Sequence, residues 1–243
     1  MKIDIVYNRK ELTKIENKTI IMIDVLRAST TIITAFSNGC KSITPVLEVD
    51  DALKLYDKNN DLILGGERNG LKPENFHLGN SPFDYTKEMV EGRNLIYTTT
   101  NGTKALLSSQ GAKHILIGAF VNLNAVVNKA LFYGDDITIL CAGREGAFSL
   151  EDAFCAGLMI TKMNNSVCNL NIDDGARWGY YAVKSMKGVL DELTDGQVYT
   201  IISNTKHGRY LLSIGLHEDL QFCSRQNRFE IVAEYKDNKI VVV

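Results

Sequence analysis

Four times in this chain an apolar, β-branched run breaks off into a loop of glycine and small polar residues. The runs start at Ile20, Leu62, Leu95 and Ile137, and the loops they enter carry Asp24, Arg27, Ser29 and Thr30; Glu67 and Arg68; Thr98 to Thr103; and Gly143 and Arg144. A short run of this kind suits a strand buried on both faces that delivers a loop at its carboxyl end. Helical patterns separate the runs, which predicts an α/β chain with a largely parallel sheet. In such sheets the carboxyl-end loops and the helix N-termini gather at one edge, so the polar residues of all four loops are candidates for a single site.

The patterns place strands at 2–7, 19–25, near 42–47, and at 61–66, 94–98, 113–118 and 136–141. Helices are expected from Ser29 or Thr30 to Asn38-Gly39, from Asp50, and over 103–110, 122–133 and 150–163, with a further helix start at Ser81-Pro82-Phe83-Asp84. The last third reads as helices over 174–187 and 204–214, closed by a hairpin of 229–235 with 239–243 turning at Asp237-Asn238. The expected architecture is a layered α/β/α unit spanning 1–243. The first and fourth loops each feed a helix opened by Ser or Thr, which suggests two related, closely joined halves parting near 120–135.

A formal net charge of -2, with both signs spread along the chain, argues against a general nucleic-acid binder, so an anionic ligand must be held by local charge. The five cysteines are scattered without a C-x-x-C pair, which argues against a disulfide framework or structural zinc site. Met1 to Tyr7 lacks a signal-peptide core, and no apolar run approaches the roughly 20 residues of a membrane span, so a cytoplasmic location is expected.

Several chemistries fail on spacing. There is no G-x-G-x-x-G after the first strand, no P-loop and no G-x-S-x-G elbow. Cys141 ends a strand as a phosphatase nucleophile would, but Ala147 stands where the phosphate-binding Arg is needed. Asp24 is followed two residues on by Leu26 rather than by the second Asp of haloacid-type phosphatases. A carboxylate-and-arginine site remains. Asp24, at the end of the most apolar run, is either a cap acid or a Mg²⁺ ligand, and Arg27 beside Ser29 and Thr30 suits an anion clamp. Glu67-Arg68 follows two glycines that would let the backbone approach a ligand. Thr99, Thr100, Asn101, Gly102 and Thr103 read as a phosphate cradle, or else as a capped turn. Ser149-Leu-Glu151-Asp152 reads equally as a capping box with first-turn acids and as a metal-binding pair. His77, His114, His207 and His217 show no ligand spacing, and Trp178, Tyr180 and Tyr181 read as core or interface.

Taken in series, Ile23 to Thr31, Gly66 to Gly70, Leu78-Gly-Asn80-Ser-Pro82, Thr98 to Thr103, Cys141-Ala-Gly143 with Gly146, and Leu150-Glu-Asp152 with Cys155-Ala-Gly157 resemble the 2-phosphosulfolactate phosphatase (ComB) family of coenzyme M biosynthesis. The closing segment from Asn227 to Ala233 departs from that family's pattern, so the resemblance is carried by residues 20–160. It implies a ComB-like fold and a Mg²⁺-dependent hydrolysis of (2R)-2-phospho-3-sulfolactate to sulfolactate and phosphate. On this reading Asp24, Arg27, Glu67 and Arg68 are catalytic. Ser29, Thr30, Asn80, Thr99 to Thr103, Gly143 and Arg144 contact substrate, and Asp24, Glu151 and Asp152 hold the metal. Such a substrate carries about -4 charge near neutral pH, which Mg²⁺, Arg27, Arg68 and either Arg144 or Lys104 would offset. Asp24, Glu67 and Glu151 are alternative water-activating bases, direct and covalent hydrolysis both stay open, and a homodimer is the default assembly. The competing function class is a module that senses a small phosphorylated or sulfonated acid without turnover.

Overall fold

The most apolar run sits at the centre of the sheet. In the computed structural model, which describes residues 1–59, 61–166, 170–187 and 193–243, strand β2 (Lys18–Ile23) is buried from Thr19 onward and pairs in parallel on both sides. Its neighbours are β6 (His114–Gly118), with Ile20 opposite Ile115, and β7 (Asp136–Cys141), with Ile20 opposite Thr138. A strand with parallel partners on both edges and helices over both faces has no solvated side, which is why the run is continuous rather than alternating.

Among the described residues ten strands form one sheet in the order β4-β5-β3-β10-β9-β6-β2-β7-β1-β8. The remaining members are β1 (Lys2–Val6), β3 (Ser42–Pro45), β4 (Ile63–Gly66), β5 (Asn94–Thr98), β8 (Asn171–Ile172), β9 (Ala233–Lys236) and β10 (Lys239–Val242). The sheet is mostly parallel. Its antiparallel pairings all involve the terminal hairpin, whose β10 joins β3 and whose β9 joins β6. These three reversals make the β4-β5-β3 block run opposite to the β6-to-β8 block. The carboxyl-end loops of the two blocks nevertheless touch, so the sheet doubles back across the hairpin.

Helix α1 (Ala28–Ser37) fills the fold so formed. Every residue from Ala28 to Phe36 is buried, and the cluster around it draws on β2, β3, β4, β5, β6, β9 and β10. A helix buried on all sides has no polar face, and its threonines bond internally: Thr30 Oγ1 donates to the Val25 carbonyl at 2.9 Å, and Thr34 Oγ1 to that of Thr30 at 2.8 Å. On the far face of β1, β2 and β7 lie α5 (Leu123–Tyr133), α6 (Leu150–Ser166) and α7 (Asp174–Lys187), while α2 (Val49–Lys58) covers the outer face of β4 and β5. The chain is therefore a layered α/β structure, and no helix among the described residues is long and apolar enough to cross a membrane.

The remaining helices are α3 (Lys87–Val90), α4 (Gly102–Ser108), α8 (Asp195–Ser203), α9 (Lys206–Ser213) and α10 (His217–Cys223). Some expectations need correction. Helix α1 begins at Ala28 rather than at a Ser or Thr cap, because the Ser29 hydroxyl accepts the Asp24 N–H at 2.9 Å. Ser81 does cap a turn, but that turn is a single 3-10 turn over Pro82–Asp84. The closing strand begins at Ala233, not Phe229: the amides of Asn227 and Phe229 bond to the Phe120 and Val121 carbonyls instead of to a strand. Helices α8 and α10 and strand β8 were not expected. Trp178 and Tyr181 are more than half exposed, so of the three aromatics on α7 Tyr180 alone packs against the core. The hairpin turns at Asp237 and Asn238, both at positive φ, as their residue types predict. Cys168 lies outside the described residues.

Candidate active site

Strand β2 stops at Ile23, and Asp24 opens the loop into α1. Its carbonyl accepts the Ser29 N–H at 2.8 Å, and its Oδ1 accepts the Ala28 N–H at 3.4 Å. Helix α4 closes over the carboxylate at Gly102, where a Cβ would stand 2.8 Å from both Asp24 Oδ2 and the Ala28 Cβ. Glycine is required there by space, not by backbone angle. Among the described residues no donor reaches Asp24 Oδ2. Burial pushes the Asp24 carboxyl up to about 6; the charges of Glu67 and Glu151 push the same way, while His207 and the Ala28 N–H oppose them.

A cavity of about 280 Å³ opens above this carboxylate. Its walls come from the loops after β2 (Asp24, Leu26, Arg27), β4 (Glu67, Asn69, Gly70), β5 (Thr100, Asn101) and β7 (Arg144, Glu145), with Asn80, His207 and Tyr210. Four loops at strand carboxyl ends thus converge as the sequence pattern implied. Cross-loop bonds hold them together. Glu67 accepts the Thr100 N–H at 2.6 Å through Oε1 and the Gly70 N–H at 2.7 Å through Oε2, and Asn101 Oδ1 accepts the Glu145 N–H at 2.9 Å. Arg27, 4% exposed, donates to the Gly70 carbonyl at 2.7 Å and to Asp219 on α10, whose other oxygen takes the Ser81 hydroxyl at 2.8 Å. The Asn80 side-chain oxygen accepts the Tyr97 hydroxyl, which leaves the amide nitrogen for the cavity.

Of the residues singled out from sequence, Asp24, Arg27, Glu67, Asn80, Thr100, Asn101 and Arg144 line this cavity, and Gly102 seals its floor. Thr99 and Thr103 cap each other behind the wall, each hydroxyl accepting the other's backbone N–H at 2.9–3.0 Å. That is the capped-turn reading, and Thr98 braces a different residue. Arg68 turns away from the cavity and donates to the Thr98 hydroxyl and to the Glu67 and Leu47 carbonyls. The glycines before it serve the sheet rather than a ligand: Gly66 has φ +143°, and a Cβ there would overlap the Thr98 carbonyl of β5. Ser29 and Thr30 are buried in α1 with their hydroxyls bonded to the backbone. Gly143, at φ +70°, closes a turn against Ala147, and Lys104 lies exposed on α4.

The three carboxylates expected to share a metal are not gathered. Among the described residues no three His, Cys, Asp or Glu side chains converge on one point. Ser149 caps α6 through the Asp152 N–H, as a capping box begins, but the Asp152 carboxylate does not return to the cap. It crosses to the Val25 N–H at 2.9 Å and the Gly143 N–H at 3.2 Å, tying the first and fourth loops together. Burial raises the Asp152 pKa well above the ordinary carboxylate range, with Asp24 and Glu151 adding to the effect. Glu151 lies 3.3 Å from His207 Nδ1; burial alone would raise its pKa, yet contact with His207 brings it below the usual range.

Sequence reasoning missed His207, Tyr210 and Asp219, all from the last third. Tyr210 donates to the Asn69 carbonyl at 2.9 Å and carries the Arg144 guanidinium on its ring at 4.9 Å. The available signal was weak: Thr205 caps α9 through the Gly208 N–H, which fixes where His207 and Tyr210 point but does not mark them as functional.

A family model described as 2-phosphosulpholactate phosphatase matches residues 5–238. The chain belongs to that family. It is 39% identical over 243 residues to the probable 2-phosphosulfolactate phosphatase of Clostridium novyi, covering 99% of each chain. Similarly named relatives from Clostridium kluyveri and Clostridium acetobutylicum are 38% and 37% identical, over 99% of this chain and 97% and 100% of theirs. The protein is accordingly a phosphoric monoester hydrolase, and the family match extends from the six sequence segments over nearly the whole chain. Membership also bears on Cys141. It is 0% exposed, and burial raises its thiol well above the ordinary range, with Asp152 adding to this. A buried neutral thiol is a poor nucleophile. Cys141→Ser is expected to retain most phosphatase turnover, measured as phosphate release; a folded but inactive variant, or a trapped phosphocysteine, would count against this.

Proposed function

We propose that the protein hydrolyses (2R)-2-phospho-3-sulfolactate to (2R)-3-sulfolactate and phosphate, with Mg²⁺, as in coenzyme M biosynthesis. The observation that carries this reading is the buried Asp24 carboxylate beside Arg27 in a cavity of about 280 Å³, within a phosphatase family. The substrate would be a small anion reaching the site from the cytoplasm, neither nucleic acid nor membrane.

The cavity wall sets the carboxylates Asp24, Glu67 and Glu145 against the guanidinium groups of Arg27 and Arg144. A substrate of about -4 charge needs more positive charge than this wall supplies. The donor chemistry fits a hard cation: among the described residues no N–H or O–H reaches Asp24 Oδ2, and Asp24 lines the cavity. Mg²⁺ is commonly held by one or two carboxylates together with water and substrate oxygens. Asp24 would hold it, and the ion would supply Lewis-acid neutralisation of the phosphoryl oxygens. Arg27 and Arg144 present guanidinium N–H groups to the anion, with Arg27 fixed in place by Asp219. The Asn80 amide adds a neutral donor. A water molecule oriented at the carboxylate floor attacks phosphorus in line, and the surrounding loops position the ester.

Phosphate release from phosphosulfolactate tests the reading. Turnover is expected with Mg²⁺, with loss on exhaustive chelation and recovery when Mg²⁺ is restored. No turnover with the ion present would overturn the substrate assignment, whereas full turnover by protein shown to be metal-free would overturn the metal requirement alone.

A further inference from the structure

One wall of the cavity is unlike the others. Arg27 and Asn80 face the site with permanent donors, but His207 can give up a proton, and it is held by a residue behind it. His207 is on the first turn of α9, with its side chain 18% exposed. Its Nδ1 stands 3.3 Å from Oε1 of Glu151, whose side chain is 3% exposed on the first turn of α6. An ionised carboxylate at Nδ1 fixes which ring nitrogen faces it and leaves Nε2 for the cavity that His207 lines. Glu151 contacts the ring, while Asp24, Arg144, Glu145 and Tyr210 line the same cavity; Asp24 and Glu151 are the buried acids among these five. Asp24 faces the same cavity from the end of β2, so a carboxylate and an imidazole of separate elements share one small space. Histidine spacing along the chain gave no hint of this, because the partner lies 56 residues away in sequence on another helix.

We infer that His207, oriented by Glu151, is the general acid that protonates the leaving oxygen of the phosphate ester. The assignment rests on the phosphatase reading above. The alcohol of a secondary alkyl ester is a poor leaving group as an alkoxide, so its departure needs a proton more than any other part of the reaction does. As the P–O bond to the carbinol carbon's oxygen breaks, its electron pair stays on that oxygen, which takes the proton from Nε2 and leaves as the alcohol. The attacking water forms the new P–O bond. One of its protons remains on the released hydrogen phosphate, and the other passes to solvent, which reprotonates His207.

The test exploits the leaving group. His207→Gln keeps size and a hydrogen-bonding end but cannot donate a proton in this way. Its kcat on phosphosulfolactate is expected to fall by ~10² or more. On 4-nitrophenyl phosphate, whose phenolate leaves without protonation, the fall should be less than about tenfold. Equal losses on the two esters, or a rise in KM with kcat unchanged, would overturn the assignment while leaving the phosphatase reading in place. No turnover of either ester by the wild-type protein would overturn both. Should the wild type accept only the alkyl ester, or His207→Gln fail to fold, the decision falls to His207→Ala, a smaller side chain that vacates the ring's space. Turnover restored by added imidazole supports the assignment, and folded protein without rescue overturns it.

Discussion

Asp24→Asn is expected to give a protein that is more stable than the wild type and nearly inactive. Burial, with Glu67 and Glu151 adding to the effect, pushes the carboxyl up to about 6 in the fold, against about 4 for an ordinary Asp. A raised acid pKa means that the folded state disfavours the charged form. The resulting penalty is absent below pH ~4, grows as the pH rises toward 6, and is fully present above that. Two pH units correspond to about 3 kcal/mol, or roughly 5–10 °C in melting temperature for a chain of this length. Asn retains an oxygen for the Ala28 N–H and removes the charge. Melting curves at pH 8 should therefore show the variant above the wild type, and curves at pH 4 should show no gain. Turnover should drop by ~10² or more, the scale of losing one positioned electrostatic group. If Asp24 holds Mg²⁺, the ion should raise the wild-type melting temperature and leave that of the variant unchanged. A variant with near-normal turnover and no stability gain at pH 8 would remove Asp24 from the site.

The second large effect lies far from the strand-end motifs. Asp219→Ala should destabilise the protein by about 3–5 kcal/mol, because it leaves the Arg27 guanidinium buried and unpaired. Chemical denaturation reads this directly. Turnover should fall with it, since Arg27 loses the partner that aims it at the cavity. The double variant Arg27→Met with Asp219→Leu separates the two consequences. Replacing a buried ion pair by apolar side chains of similar volume commonly restores stability, so this protein should fold well and remain inactive. Loss of less than ~1 kcal/mol in Asp219→Ala would show that the pair is solvated and that the α10 contact does not organise the site.

The two cases mark what the sequence could and could not disclose. Asp24 was legible because it ends an apolar run: a charged residue in that position is either paired or functional, and the loop around it supplied the candidates. The strand positions of the first 141 residues and the Asp237-Asn238 turn followed from period and turn chemistry, both local properties. Asp219 was not legible. In the order His217-Glu218-Asp219 it looks like any acid in the first turn of a helix, and only α10 docking against the Arg27 loop makes it a buried partner. Asp152 misled in the opposite way, since the capping pattern around Ser149 was real but the carboxylate serves the Val25 and Gly143 amides instead. Arg68 shows the same limit. Its neighbours in sequence suggested a ligand, and its neighbours in space are the Glu67 and Leu47 carbonyls and the Thr98 hydroxyl.

The terminal hairpin has a consequence for how the chain is made. β9 and β10 are what join the two parallel blocks in the sheet, through β6 on one side and β3 on the other, and they are the last described strands to be synthesised. Between the end of β6 and the start of β9, 115 residues are translated, counting from Gly118 to Ala233. At about 5–20 residues per second this takes on the order of ten seconds on a ribosome. Throughout that interval β3 and β6 present unpaired edges, which readily recruit strands from other chains. The nascent protein therefore depends on whatever shields those edges during translation, and its yield in a cell should respond to elongation speed and chaperone supply more than its equilibrium stability would suggest.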